Sequence, residues 1–246
     1  MNIRRKILSI QRTLAVILVF AAATSFCFSF FACTALDDYD IDALIQSRAN
    51  NVVRIRAAGA SESSGTGTLV DMYYYAPLSE YHGIIITCYH VVIGQHLIEV
   101  AFNDNAEYFR KYAMRIGYDI EYDIAIFETT FALESCFTDT LELVSGNTLV
   151  EGQRVLTFGD AHGNGVLTSK GSIDGVNVAG NVGGIIGREM TLIRVTSSIV
   201  TGKSGGPTFD MQGRLIGINI GTRGGKGYLV PADRVKIVFD RVMAER

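Results

Sequence analysis

Apolar residues in this chain fall in short alternating or continuous runs of strand length, separated by polar, glycine-bearing turns. Runs at residues 52–56, 68–75, 83–87, 97–102, 112–118 and 124–128 predict a first set of about six strands. After a turn at Gly152, runs at 155–158, 165–178, 190–195, 207–209, 215–220 and 227–230 predict a second set. The expected fold is all-β: two six-stranded antiparallel β-barrels. Two stretches read as helix instead. Residues 40–48 place Ile41, Leu44 and Ile45 on one side behind a capping Asp40, and residues 233–243 carry Val235, Val238, Phe239 and Val242 at helical spacing. The second helix is expected to cover the junction of the barrels. Residues 61–67 read as a polar turn, and 180–187 and 221–227 as glycine-rich loops in which mobility is expected.

The pattern changes character at the N-terminus. Arg4, Arg5, Lys6 and Arg12 precede about 23 uncharged residues, 13–35, rich in Leu, Val, Ala and Phe, and Asp37, Asp38, Asp40 and Asp42 follow. Such a segment enters or crosses a membrane, and its charge asymmetry places the body outside the cytoplasm. It is either an uncleaved anchor or a cleaved signal, with lipidation at Cys33 a third course. The chain therefore divides into a membrane or signal segment, 1–36, and one domain, 37–246.

Composition narrows the picture. A chain of 246 residues with 48% hydrophobic content and 26 glycines suits short strands joined by tight turns. A net charge of -3 without long basic runs argues against nucleic acid as a partner. The four cysteines do not form a disulfide framework: Cys27 and Cys33 lie in the N-terminal segment, and Cys88 reads as a small buried apolar residue whose pairing with Cys136 stays open. His82, His96 and His162 lack metal-ligand spacing and read as surface or turn residues, so no metal is expected. Tyr73-Tyr74-Tyr75 reads as strand with mixed faces.

The stretch from Thr201 to Pro207 carries the chemistry. A serine between glycines, Gly202-Lys203-Ser204-Gly205-Gly206-Pro207, is the shape of a nucleophile loop, in which Gly202 and Gly205 permit a tight path that turns the amides of Gly202, Lys203 and Ser204 toward one point as an oxyanion hole. Gly202-Lys203-Ser204 also ends a phosphate-binding loop, but Ser197 stands where that motif needs its first glycine and no helix is expected after it. A nucleophilic serine needs a base and an orienting carboxylate. His90 ends the apolar run 84–88 and Asp123 opens the run 124–127, each in a plausible setting.

The chain resembles the trypsin-like serine proteases, most closely their HtrA/Deg branch, from about residue 43 onward. The resemblance rests on Ser64-Gly65-Thr66-Gly67, Thr87-Cys88-Tyr89-His90-Val91-Val92, Asp123-Ile124-Ala125-Ile126, Gly202 to Pro207, Gly213 to Asn219 and Tyr228 to Val235. It implies a chymotrypsin-like double barrel with His90 as base, Asp123 as its orienting partner and Ser204 as nucleophile, in a cleft between the barrels, with no cofactor. It implies a serine endopeptidase acting on unfolded or envelope polypeptides outside the cytoplasm, with a homo-oligomer as a possible assembly. A substrate pocket would have Ser198 at its floor, Ile199 and Val200 beside it, and Ile218, Asn219 and Ile220 as the opposite wall. That slot would favour small or medium aliphatic side chains. Two departures from the family are expected to matter: no PDZ domain follows, and Lys203 replaces a small polar residue, altering the charge at the site mouth. A polypeptide-binding pseudoprotease or sensor is the alternative.

Overall fold

The computed structural model describes residues 38–57, 63–104, 107–131, 140–144, 146–161, 165–180 and 189–246. The N-terminal apolar segment, Cys27, Cys33, Cys136, His162 and nearly all of the stretch 180–187 lie outside them. The chain divides into a unit Met1–Ile41, of which the start of helix α1 (Asp38–Ala49) is described, and a unit Asp42–Arg246. Among the described residues no helix is long and apolar enough to cross a membrane.

The second unit holds two closed barrels. Strands β1 (Val52–Ala57), β2 (Ser63–Tyr75), β3 (Glu80–Cys88), β4 (Leu97–Asp104), β5 (Glu107–Asp119) and β6 (Ile124–Phe131) close in the order β1-β2-β3-β6-β5-β4. Strands β7 (Arg154–Asp160), β8 (Val166–Gly180), β9 (Met190–Val195), β10 (Pro207–Asp210), β11 (Leu215–Arg223) and β12 (Lys226–Pro231) close in the order β10-β11-β12-β9-β8-β7. Every pairing is antiparallel, and closure leaves neither sheet an open edge.

Ile84, Ile85 and Ile86 of β3, and Ile124 to Phe127 of β6, are wholly buried without alternation. A strand with such a continuous apolar run has both faces covered. At the seam, the Cys88 thiol of β3 reaches the Asn219 carbonyl of β11 at 3.1 Å. Helix α2 (Ala232–Ala244) buries Ala232, Val235, Val238 and Val242 against β5 and β6 of one barrel and β11 and β12 of the other. It sits so close that a Cβ at Gly117 would lie 2.3 Å from Val242 Cγ2.

Two expectations about local backbone structure need correction. Residues 63–67 are strand, not turn: their glycines serve close packing, since a Cβ at Gly65 would fall 2.6 Å from Val91 Cγ1 and one at Gly67 2.8 Å from Ile85 Cγ2. Residues 221–227 are mostly the paired ends of β11 and β12, and the turn itself is Gly224-Gly225, both at positive φ.

Candidate active site

His90 sits in a 3-10 turn, Tyr89–Val91, directly after β3. Asp123 lies in the β5–β6 turn at φ 53, a left-handed conformation that Asp tolerates better than most residues. That backbone turn directs the carboxylate at His90. Asp123 Oδ1 accepts the His90 main-chain N–H at 2.8 Å and Oδ2 lies 2.6 Å from His90 Nδ1. Asp123 is 1% exposed, so its carboxylate is an acceptor held out of water. The proton on the imidazole is therefore drawn to Nδ1, and the lone pair of Nε2 is left outward.

The turn that carries Ser204 is gripped by both barrels. From β2, the Thr66 hydroxyl donates to the Gly202 carbonyl at 2.6 Å, the Thr66 amide to the Ser204 carbonyl at 2.9 Å, and the Thr68 hydroxyl to the Gly205 carbonyl at 3.0 Å. From β11, the Gly205 amide reaches the Asn219 carbonyl at 2.8 Å, and the Lys203 carbonyl accepts from Asn219 Nδ2 at 3.3 Å as well as from the Gly206 amide at 3.1 Å. The Lys203 amide is spent on the Val200 carbonyl at 3.0 Å, closing a tight turn with Gly202 at φ 94. Among the described residues, the amides of Gly202 and Ser204 make no hydrogen bond. A trans peptide points N–H opposite to C=O, so tying the Lys203 carbonyl inward aims the Ser204 amide outward. Of the three amides expected to form an oxyanion hole, Gly202 and Ser204 are free, whereas Lys203 closes the turn.

A cavity of about 630 Å³ opens between the barrels, lined by Ser63, Ser64, His90 and Val91 on one side and by residues 198–202, Ser204 and 220–222 on the other. Ser204 and His90 thus face one space. The Ser204 hydroxyl donates to the Ile220 carbonyl at 3.2 Å, and no hydrogen bond joins it to His90 among the described residues. Catalytic contacts of this kind commonly tighten only when substrate is bound.

Ser198, Ile199, Val200 and Ile220 line the cavity as expected walls would, but Ile218 and Asn219 do not. Ile218 is fully buried in the barrel, paired with Pro207 and Val230. Asn219, also fully buried, is a hub that donates to the Phe158 carbonyl at 2.7 Å and accepts from the Thr208 hydroxyl at 2.7 Å. A bulge between Asn219 and Gly221 re-aims β11, so its wall is Ile220, Gly221 and Thr222. Thr222 went unnoticed in the sequence. Its hydroxyl accepts the Ile199 amide at 2.7 Å and donates to the Ile199 carbonyl at 2.8 Å, lacing one wall to the other.

Lys203 does not reach the mouth. It is 2% exposed and its amine donates to Ser169 Oγ at 2.9 Å. Strand β10 follows at Pro207, so Gly202-Lys203-Ser204 opens no helix and lacks the anion site of a phosphate-binding loop. Cys88, His90 and Asp123 bring three metal-ligand atoms within 4.8 Å of one another. Yet Cys88 is free, wholly buried and already bonded to Asn219, and burial pushes its thiol well above its ordinary pKa, so it is poorly suited to bind metal or attack. Outside the site, His82 is a correction: its side chain is 14% exposed, stacked on Tyr73 and 3.2 Å from Glu128. His96 is paired with Arg115 in an exposed position.

Residues 65–218 match the family of the trypsin-like peptidase domain. A probable periplasmic serine endoprotease, DegP-like, of Rickettsia prowazekii is 28% identical over 177 residues, covering 65% of this chain and 31% of that relative's length. The serine endoprotease of Yersinia pestis superposes with a TM-score of 0.64 at 21% identity, over 82% of this chain and 66% of the other. The HtrA-type protease AlgW, solved with a tripeptide, gives 0.65 at 23% identity, over 82% and 62%. With a family match running through both barrels, this chain belongs to the trypsin-like peptidases, and the relatives and solved structures it is similar to include HtrA-type and DegP-like proteases.

Proposed function

We propose that the chain is a serine endopeptidase that cleaves polypeptides through an acyl-enzyme, with Ser204 as nucleophile, His90 as base and Asp123 as its orienting partner. The observation that carries this reading is the double hydrogen bond from His90 to a buried Asp123, facing the same cavity as a serine flanked by two unbonded amides. Substrate entering the cavity displaces the Ser204 hydroxyl from the Ile220 carbonyl and turns it to His90. Nε2 takes the hydroxyl proton as Oγ attacks the peptide carbonyl, then returns it to the leaving amine. Asp123 stabilises the imidazolium between those steps. The amides of Gly202 and Ser204 receive the oxyanion, each worth about 3 kcal/mol in comparable sites. Water repeats the attack, and no cofactor enters.

Among the described residues that line the cavity between Ser198–Val200 and Ile220–Thr222 there is no carboxylate to pair with a basic side chain, so the favoured residue before the cut is small or medium and aliphatic. The N-terminal basic flank and apolar run carry the domain out of the cytoplasm, as an anchor or a cleaved signal.

Labelling of the purified protein with a fluorophosphonate tests the reading. The wild type should be labelled at Ser204 and degrade unfolded casein, and Ser204→Ala should do neither. A folded wild type that binds casein yet resists the probe would favour the polypeptide-binding alternative, consistent with the Ser204 hydroxyl resting on Ile220 rather than His90.

A further inference from the structure

Lys203 is the residue that departs from the pattern expected beside a nucleophile, and it is buried in a groove made for it. Its stem crosses Gly159 of β7, where a Cβ would lie 2.7 Å from Lys203 Cγ and 2.8 Å from its Cα. Its amine ends on Ser169 of β8. An ammonium has three protons to donate, and among the described residues one hydroxyl is its partner. No charged group on the packed elements is offered to the amine among the described residues: Asp160 of β7 is taken by Arg54 and by the Gly165 amide, Lys170 of β8 is exposed, and β11 contributes neutral Asn219.

We propose that Lys203 is a positioning residue for Ser204, and that the turn keeps its two free amides only while the lysine side chain occupies the groove over Gly159. The link is the peptide plane shared by Lys203 and Ser204. With the side chain seated, the Lys203 carbonyl bonds Gly206 and Asn219 and the Ser204 amide faces the cavity. Moving the side chain to water rotates that plane, breaks both carbonyl bonds and turns the amide away.

A lysine makes this seat sensitive to proton concentration. Burial pushes the amine below its ordinary value of 10.5, so the seated form prefers the neutral amine. The seated turn is therefore most stable above 10.5 and loses stability as pH falls toward the depressed pKa. Each unit of depression changes the ratio of seated to unseated turns by about tenfold.

The inference rests on Ser204 being the nucleophile, and two measurements separate its failure from failure of that reading. Fluorophosphonate labelling of the wild type should rise with pH in two stages, the second, at higher pH, as the lysine seats. Lys203→Met, which fills the groove with an uncharged stem, should show only the first rise. Ser169→Ala, which removes the amine's bond, should enlarge the second rise. Hydrogen exchange of the segment 200–206, corrected for intrinsic rates, should become more protected over the same alkaline range in the wild type and not in Lys203→Met. A second rise that persists in Lys203→Met, or protection that responds to pH alike in both proteins, overturns the proposal. If no protein is labelled at any pH, the peptidase reading fails, and the exchange measurement alone decides the role of Lys203.

Discussion

Asp123 accepts two hydrogen bonds from His90, one from the main chain and one from the ring, so a single buried carboxylate fixes both the position and the tautomer of the imidazole. Asp123→Asn tests this with little disturbance, because Asn also tolerates the left-handed backbone at this position. Its amide can no longer accept two N–H groups without presenting its own NH2 to one of them. The expected result is a loss of about 10³–10⁴ in kcat with KM nearly unchanged and native circular dichroism. Combined with Ser204→Ala it should cost no more than Ser204→Ala alone, as the residues act as one unit. Near-wild-type turnover by the folded Asn variant would remove Asp123 from the mechanism.

Thr222 sets the spacing of the cavity walls through its two bonds to Ile199. Thr222→Ala should free the 198–200 wall and weaken discrimination against bulk, raising the ratio of kcat/KM for Phe over Val before the cut by roughly tenfold. Thr222→Ser keeps the hydroxyl and should keep the wild-type ratio. Peptide libraries analysed by mass spectrometry measure both, and an unaltered profile in the Ala variant would show that the tie does not govern size.

Thr66 is fully buried, and its hydroxyl both donates to the Gly202 carbonyl and accepts the Asp160 amide at 2.9 Å. Thr66→Val keeps the shape and strands both groups, at a cost of about 1–3 kcal/mol for each buried group left unpaired. Urea denaturation should show the lower midpoint. Labelling of Ser204 should slow as well, since the released Gly202 carbonyl lets the turn relax.

Glu128 is the centre of a second polar cluster, far simpler in purpose. Burial alone would raise its carboxyl, but bonds from Arg246 at 2.7 Å, Tyr73 at 2.5 Å and His82 outweigh it and hold the group below its ordinary 4.5. A depressed carboxylate stabilises the fold above its unfolded value and loses that contribution as pH falls through the folded one. The gap in melting temperature between wild type and Glu128→Gln should be constant near neutrality and close below about pH 4. A gap that widens in acid would mean that the cluster is not held together by the ionised carboxylate.

Much of this architecture is legible in the residues, because alternation and turn chemistry act locally. All twelve expected strands occur, with ends extended by pairing that one strand cannot reveal alone. His90 and Asp123 were readable since each lies at a strand end, where a side chain can leave the sheet. What escaped is set by distant neighbours. Gly65 and Gly67 carry a turn's composition, yet their glycines yield to Val91 and Ile85. The inward path of Lys203 depends on a glycine in another strand, Gly159. The wall of the cavity shifted by two residues because a bulge follows Asn219, and no side-chain pattern announces it. His82 left the surface because its register in β3 sets it opposite Tyr73.

The carbonyls of the Ser204 turn are held by strands from both barrels, β2 on one side and β11 on the other. An interval in which only the second barrel has closed would leave Ser204 on a loop without half its anchors, and its free amides without direction. With Ser204 as the proposed nucleophile, nascent or partly opened copies of the chain should therefore be silent toward one another. On that reading cutting power should switch on as the last joint between the halves is made, and under mild denaturant it should vanish before the strands do.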